Sequence, residues 1–168
     1  PILNFSLERL DSIELYPYKQ LFKNNLASVM VAHLSVKSLE SNIELPTSLS
    51  YNVVTGLLKE KLKFKGLIIT DALNMKGAAN FANPGELDLA AIIAGNDILL
   101  VPEDVPSAVS KIKSALNVKV LSEDRLDHSV RKILNAKYWA GMNEFKLIEL
   151  ENLNDDLNTI EDELLHRK

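Results

Sequence analysis

The stretch KGLIITDALNMKGAA, from Lys65 to Ala79, places a carboxylate directly after an apolar, β-prone run. Residues 66–70 predict a buried strand, and the residues after Asp71 are polar and punctuated by glycine. In parallel α/β folds, functional side chains gather at the carboxyl ends of strands. A buried carboxylate is costly unless it faces a cavity or finds hydrogen-bond donors. Asp71 is therefore either a functional residue or a structural cap of the following loop.

Two further apolar runs, 27–34 and 97–101, also predict buried strands. Amphipathic stretches lie before, between and after the three runs, and this alternation is typical of βαβ units in a parallel sheet. The fold class is therefore predicted as α/β. The predicted helices span residues 6–24 (bent or broken near Pro17), 51–63, 83–95, 106–117 and 122–139.

The helix predicted over 83–95 carries clear start and stop signals. Asn83 is the predicted N-cap, Pro84 suits the first helical position, and Glu86 lies three residues after the cap. Gly95 is the predicted stop.

The composition excludes several classes of protein. The 168 residues carry a net charge of −4 and are 46% hydrophobic, which is typical of a globular domain. There is no cluster of Lys and Arg for nucleic acid, and no apolar run of about 18 residues for a membrane span. The absence of cysteine excludes disulfides and thiolate chemistry. No signal peptide is visible, but the first residue is Pro1, so the compartment stays undecided.

The sequence changes character after Gly141. Residues 142–168 are acidic and carry a narrow apolar stripe, which predicts a helix that links or docks rather than part of the same core. The chain is therefore divided into residues 1–141 and 142–168. The stripe consists of Leu153, Leu157, Ile160 and Leu164.

The residues around Asp71 closely resemble the nucleophile motif of glycoside hydrolase family 3, particularly its β-N-acetylglucosaminidase branch. Three further segments extend the resemblance. The family's sixth barrel strand is similar to SVMVAHLSV (28–36), and its eighth strand is similar to AIIAGNDILLVP (91–102). The family's turn, helix and nucleophile strand are similar to LPTSLSYNVVTGLLKEKLKFKGLIITD (45–71). Together they cover roughly residues 1–140. The matching motif positions are Thr70, Asp71, Leu73, Met75 and Gly77.

The resemblance implies a fold and an activity. Residues 1–141 would form the second half, about strands six to eight, of a TIM (β/α)8 barrel, which needs about 250 residues when complete. The activity would be retaining hydrolysis of terminal β-linked N-acetylglucosamine, for example from peptidoglycan fragments of bacteria, through a covalent glycosyl-enzyme on Asp71. Neither a metal nor an organic cofactor is expected.

The resemblance also suggests two substrate-binding residues, His33 and Met75. A hydrogen-bonded histidine beneath a loop is the alternative for His33, and a core gap-filler is the alternative for Met75. His128 and His166 are interpreted as helix residues without a catalytic role.

The general acid/base is missing from the resemblance. In the N-acetylglucosaminidase branch it is a His-Asp pair after the fifth strand, and nothing in this sequence matches that loop. Residues 1–19 resemble the stretch that follows the loop. The chain alone is therefore expected to be inactive, and either to self-associate or to pair with the missing half of the barrel.

Three other functions are alternatives to this activity. A β-glucosidase of the same family would share the nucleophile motif. A phosphate-accepting receiver domain would need an acidic pair after its first strand and a late lysine, and VMVAHLS and LLVPED offer neither. A catalytically dead relative could serve as a binding module, although the intact pair Thr70 and Asp71 argues against decay of the nucleophile.

Overall fold

The computed structural model describes residues 1–144, 146–147 and 150–166. These residues form two compact units, Pro1–Ala136 and Lys137–Lys168. Within the described residues, no helix combines the length and apolar character that crossing a membrane requires.

Parallel strands form the centre of the first unit. The strands are β1 (Ile2–Leu3), β2 (Ser28–Val31), β3 (Ser35–Val36), β4 (Leu67–Ala72) and β5 (Ile98–Leu100). The order β2-β4-β5 makes one sheet, with both neighbouring pairs parallel, and β1 pairs with β3 in a separate parallel sheet. The predicted parallel α/β arrangement and its three apolar strands are confirmed. The two-residue strands β1 and β3 are too short to leave a periodic signal in the sequence.

Helical segments precede, connect and follow the strands of the three-stranded sheet. They are α1 (Leu7–Arg9), a π-helical turn Leu10–Glu14, α2 (Tyr16–Lys23), a π-helical segment Asn52–Lys61, α3 (Lys76–Ala79), α4 (Glu86–Ala94), α5 (Val105–Asn117) and α6 (Glu123–Trp139). A short 3₁₀ turn, Thr47–Leu49, precedes the segment Asn52–Lys61.

The predicted break near Pro17 is confirmed. The first helical stretch is divided, and α2 begins at Tyr16 with Pro17 in its first turn. Proline lacks the N–H that an interior helical position must donate, so the first turn of a new helix accommodates it.

The start of α4 differs from the prediction. The helix begins at Glu86, and its N-cap is Gly85 rather than Asn83. Gly85 has a φ of +84°, and its N–H donates to the Asp88 carboxylate at 2.9 Å. A Cβ on Gly85 would lie 2.9 Å from the Ser107 carbonyl oxygen, so a close approach to α5 as well as the positive φ requires glycine here. The predicted stop at Gly95 is confirmed.

One face of the three-stranded sheet is covered by helices. The segment Asn52–Lys61 and α4 pack there against side chains of β2 and β4. The opposite face carries Met30, which is 57% exposed, and the half-buried Leu67 and Ile69. The core cluster on the covered face consists of Val29, Val31, Val54, Phe64, Ile68 and Ala94.

The second unit contains a 3₁₀ turn, Met142–Glu144, and two short helices, α7 (Leu153–Leu157) and α8 (Ile160–His166). The helix predicted around Leu153 to Leu164 is thus divided into two, with a break at Asn158 and Thr159. The Asn158 side-chain amide donates to the Asn154 carbonyl at 2.6 Å, which satisfies a carbonyl at the end of α7. The role of residues 142–168 as a linker or docking segment stays a prediction.

Candidate active site

Asp71 lies on an irregularity at the carboxyl end of β4. Strand β4 continues to Ala72, so Asp71 belongs to the strand instead of following it. Ile69 pairs with Ile98 and Ala72 pairs with Leu100, so β4 has one more residue than β5 across this interval. A bulge of this kind re-aims the side chain it carries, and bulges are frequent next to active sites. Asp71 is half-buried, and its Oδ1 accepts a hydrogen bond from the Ala72 N–H at 2.8 Å.

Thr70 holds this irregular pairing in place. Its side chain is fully buried, and its Oγ1 accepts a hydrogen bond from the Leu100 N–H at 2.9 Å. On the other side of the bulge, the Leu73 N–H donates to the Leu100 carbonyl at 2.9 Å. The Thr70 hydroxyl therefore satisfies the Leu100 N–H of the neighbouring strand beside the bulge. Thr70 has a structural role in the Thr-Asp motif.

His33 lies in the loop after β2 and is buried, with 6% of its surface exposed. Its Nε2 is 3.0 Å from the Ala72 carbonyl oxygen, and its Nδ1 is 2.6 Å from the Ser48 Oγ. Because a carbonyl only accepts hydrogen bonds, Nε2 donates to Ala72, and Nδ1 accepts from the Ser48 hydroxyl. The structure thus has the hydrogen-bonded arrangement of His33, with both ring nitrogens paired inside the chain. A direct contact between His33 and a sugar stays a prediction.

The turn Thr47–Leu49 packs against His33 and supplies Ser48, which is hydrogen-bonded to the ring. Ser48 is fully buried, and its carbonyl accepts a hydrogen bond from the Asn96 side-chain amide at 2.7 Å. The same amide donates to a backbone carbonyl of α4. Thr47 Oγ1 donates to the Ala32 carbonyl at 2.6 Å, next to His33. Ser48 and Asn96 were not predicted as site residues, although they lie in LPTSLS and AGND, within two of the segments that resemble the family.

Met75 lies just before α3, in the loop that follows Asp71. It is 49% exposed, so it does not fill a gap in the core. Helix α3, which follows Met75, approaches His33 closely, because a Cβ on Gly77 would lie 3.1 Å from the His33 Cβ. Contact between Met75 and a sugar stays a prediction.

Val101 is a strained residue at the end of β5 that the sequence analysis missed. Its φ is +44°, and a β-branched residue with positive φ is a true outlier. Its side chain is 49% exposed and directly follows Leu100, the partner of Ala72. Backbone strain of this kind is concentrated at functional sites, but it cannot be predicted from the residue types in the sequence.

The remaining candidates lie outside this arrangement. His128 is exposed on α6, and the side chain of His166 lies outside what the structure describes. In the described part of the chain, no group of three or more His, Asp or Glu side chains could hold a metal ion.

Another carboxylate, the fully buried side chain of Asp97, lies at the opposite, amino-terminal end of β5. It accepts hydrogen bonds from Ser129 Oγ at 2.5 Å, from the Ile68 N–H at 3.0 Å, and from Lys132. Burial by itself would raise the pKa of Asp97, but these hydrogen bonds outweigh burial and hold the pKa below its ordinary value. In barrels, this end of the strands contributes to stability rather than to catalysis.

The chain matches known proteins over most of its length. The sequence model described as "Glycosyl hydrolase family 3 N terminal domain" matches residues 1–136. The structure of a family 3 β-N-acetylglucosaminidase from Paenibacillus sp. str. FPU-7 superposes with a TM-score of 0.90 at 33% identity, covering 99% of this chain and 32% of that protein.

Two curated relatives carry the name β-hexosaminidase. The protein from Methylococcus capsulatus is 33% identical over 116 residues, which are 69% of this chain and 34% of the relative. β-Hexosaminidase A from Pseudoalteromonas piscicida is 24% identical over 156 residues, which are 82% of this chain and 26% of the relative. The chain thus spans about a quarter to a third of the length of these relatives. It belongs to glycosyl hydrolase family 3, a family of glycoside hydrolases, and within it to the β-N-acetylglucosaminidase branch.

Proposed function

We propose that the protein containing this chain is a retaining β-N-acetylglucosaminidase and that Asp71 is its nucleophile. The observation that carries the proposal is the half-buried carboxylate on a bulge at the carboxyl end of a parallel strand. The names of the relatives support the substrate class, and terminal β-linked N-acetylglucosamine of bacterial peptidoglycan fragments is the proposed substrate.

In the proposed reaction, Asp71 attacks the anomeric carbon and forms a covalent glycosyl-enzyme, which water then hydrolyses. One carboxylate oxygen, Oδ1, is oriented by the Ala72 N–H. No hydrogen bond reaches Oδ2 among the residues that the structure describes, so Oδ2 is the oxygen available for attack. A rigid strand end suits this role, because attack requires the reacting atoms to be held within about 3–3.5 Å. The mechanism calls for no metal or organic cofactor.

Met75 is proposed to border the sugar. The thioether of Met75 is half-exposed in the loop after Asp71 and is available to contact the sugar. His33 is buried and hydrogen-bonds to the backbone of Ala72.

The nucleophile is tested in the full-length protein with a fluorinated N-acetylglucosaminide that traps the glycosyl-enzyme. We expect the label on the peptide that contains Asp71, and a fall of several orders of magnitude in turnover for Asp71→Asn, because the nearly isosteric amide is a poor nucleophile. Glu103→Gln is the matched control, because Glu103 is an exposed carboxylate that follows β5 at the same end of the sheet. A label on another carboxylate would refute the assignment.

Substrate preference is tested on aryl β-N-acetylglucosaminide and aryl β-glucoside with the same preparation. A clear preference for the glucoside would make the protein a β-glucosidase of the same family. The general acid is proposed to come from outside this chain, because no stretch of the sequence matches the family's His-Asp loop. His128 does not replace it, because the neighbouring Ser129 binds Asp97 at the amino-terminal end of the strands. The isolated chain is therefore expected to hydrolyse neither compound.

The three-stranded sheet is proposed to be strands six to eight of the family's barrel. Among the described residues, β2 and β5 each pair with β4 alone, so each has a second edge with unpaired backbone groups. Further strands of the parent barrel, or a second copy of the chain, would pair there. Light scattering on the isolated chain tests this, and a stable monomer with protected β5 amides would count against it.

A further inference from the structure

We propose that His33 is a positioning residue for Asp71, acting through the backbone of Ala72 instead of touching the sugar. The proposal rests on the assignment of Asp71 as the nucleophile.

Ala72 is held on both sides of its backbone. Its N–H donates to Asp71 Oδ1 at 2.8 Å, and its carbonyl accepts from His33 Nε2 at 3.0 Å. The Met75 N–H donates to the same carbonyl at 3.0 Å, which closes the loop after the strand. The residue that orients the carboxylate is therefore oriented in turn by a side chain that lies 39 positions earlier in the sequence.

The His33 ring is itself fixed. The Ala72 carbonyl can only accept, so Nε2 carries the N–H, and Nδ1 of the neutral ring accepts a hydrogen bond from the Ser48 hydroxyl. Ser48 is fully buried, and Asn96, 1% exposed, holds its carbonyl at 2.7 Å. The chain of contacts runs from α4 through Asn96, Ser48 and His33 to Ala72, so the position of the ring depends on packed elements rather than on a mobile loop.

The bulge makes this support necessary. An irregular pairing disrupts the regular ladder of hydrogen bonds, so the end of β4 needs other contacts to define it. Thr70 supplies one on the β5 side and His33 supplies the other on the β2 side. A shift of the Ala72 backbone would move the N–H that holds Oδ1. A misplacement of about 1 Å near the reacting atoms can reduce the rate by about 100-fold.

The test uses the full-length protein and aryl β-N-acetylglucosaminide. His33→Leu removes the donor to Ala72, and we expect kcat to fall about 10- to 100-fold with KM unchanged within about twofold, since positioning acts on the reacting centre. His33→Gln offers an amide N–H near the position of Nε2 and should restore kcat to within about fivefold of wild type. The rate constant for trapping by the fluorinated sugar should fall in parallel with kcat.

Two variants complete the design. Ser48→Ala leaves the imidazole in place but removes the hydroxyl that orients it, so a smaller fall in kcat, about 3- to 10-fold, is expected. It keeps the proposal testable if His33→Leu does not fold. His128→Gln, an exposed histidine on α6, is the control and should match wild type.

The outcomes separate the two proposals. If wild type is labelled on Asp71 but His33→Leu raises KM with kcat unchanged, His33 contacts the sugar and only the positioning role is overturned. The positioning role is also overturned if His33→Gln is no better than His33→Leu, or if Ser48→Ala retains full kcat. If wild type is labelled elsewhere than on Asp71, both proposals are overturned.

Discussion

Lys59 is a partly buried cation in the π-helical segment, and it donates a hydrogen bond to the Gly95 carbonyl. Burial lowers its pKa from 10.5 to about 8, and the charges of Arg125 and Lys132 act in the same direction, while Asp97 opposes them. Because the pKa is lower in the folded state, the unfolded chain binds more protons between about pH 8 and 10.5. Lys59 therefore makes the free energy of unfolding rise with pH in that window.

Wild type and Lys59→Met should therefore differ in how the free energy of unfolding depends on pH. We expect Lys59→Met to remove this rise, as measured by urea unfolding from pH 7 to 10.5. Lys113→Met is the matched control, because Lys113 is an exposed lysine on α5. Parallel pH profiles for wild type and Lys59→Met would contradict the assigned pKa.

At the scale of elements, the carboxyl end of α5 carries an unfavourable residue. Lys119 has a φ of +59° and is exposed, and the Val120 N–H closes the helix by donating to the Ala115 carbonyl at 2.9 Å. Lys119→Gly should raise local stability by about 0.5–1 kcal/mol, because glycine adopts positive φ without steric cost. Lys113→Gly, inside the same helix, should lower it by about 1 kcal/mol. Hydrogen exchange of the α5 amides measures both, and a loss in both variants would refute the argument.

Some of these elements could be predicted from sequence patterns and others could not. The three strands of the main sheet were predictable, because continuous apolar runs report burial directly. The start of α4 was not predictable, because Gly85 is required there by a close approach to Ser107 on another helix, α5, as well as by its positive φ. The bulge at Asp71 depends on the register between β4 and β5, and the pairing of His33 with Ser48 on the approach of two loops. Neither arrangement has a local signature, so the motif predicts Asp71 but not the bulge or the hydrogen bond between His33 and Ser48.

At the scale of the first unit, Asp97 joins the sheet to α6. Its side chain is fully buried, and it is paired with Lys132 and with Arg125, whose NH1 lies 3.9 Å from Oδ1. The Ile68 N–H and Ser129 Oγ also donate to it, so one carboxylate links β4, the start of β5 and the last helix of the unit. Removing one partner from a buried ion pair leaves the other charge uncompensated and costs about 3–5 kcal/mol.

Asp97→Asn should therefore destabilise the protein by about 3–5 kcal/mol at pH 7, whereas Asp124→Asn, an exposed acid on α6, should change stability by less than about 0.5 kcal/mol. The pKa of Asp97 is lowered from 3.8, so its contribution is fully present well above pH 3.8. That contribution is lost as the pH falls below 3.8 and through the lower pKa of the folded state. Urea unfolding between pH 7 and 3 should show the difference between wild type and Asp97→Asn shrinking at the acid end. A difference that stays constant to pH 3 would mean that Asp97 contributes through packing and not through its charge.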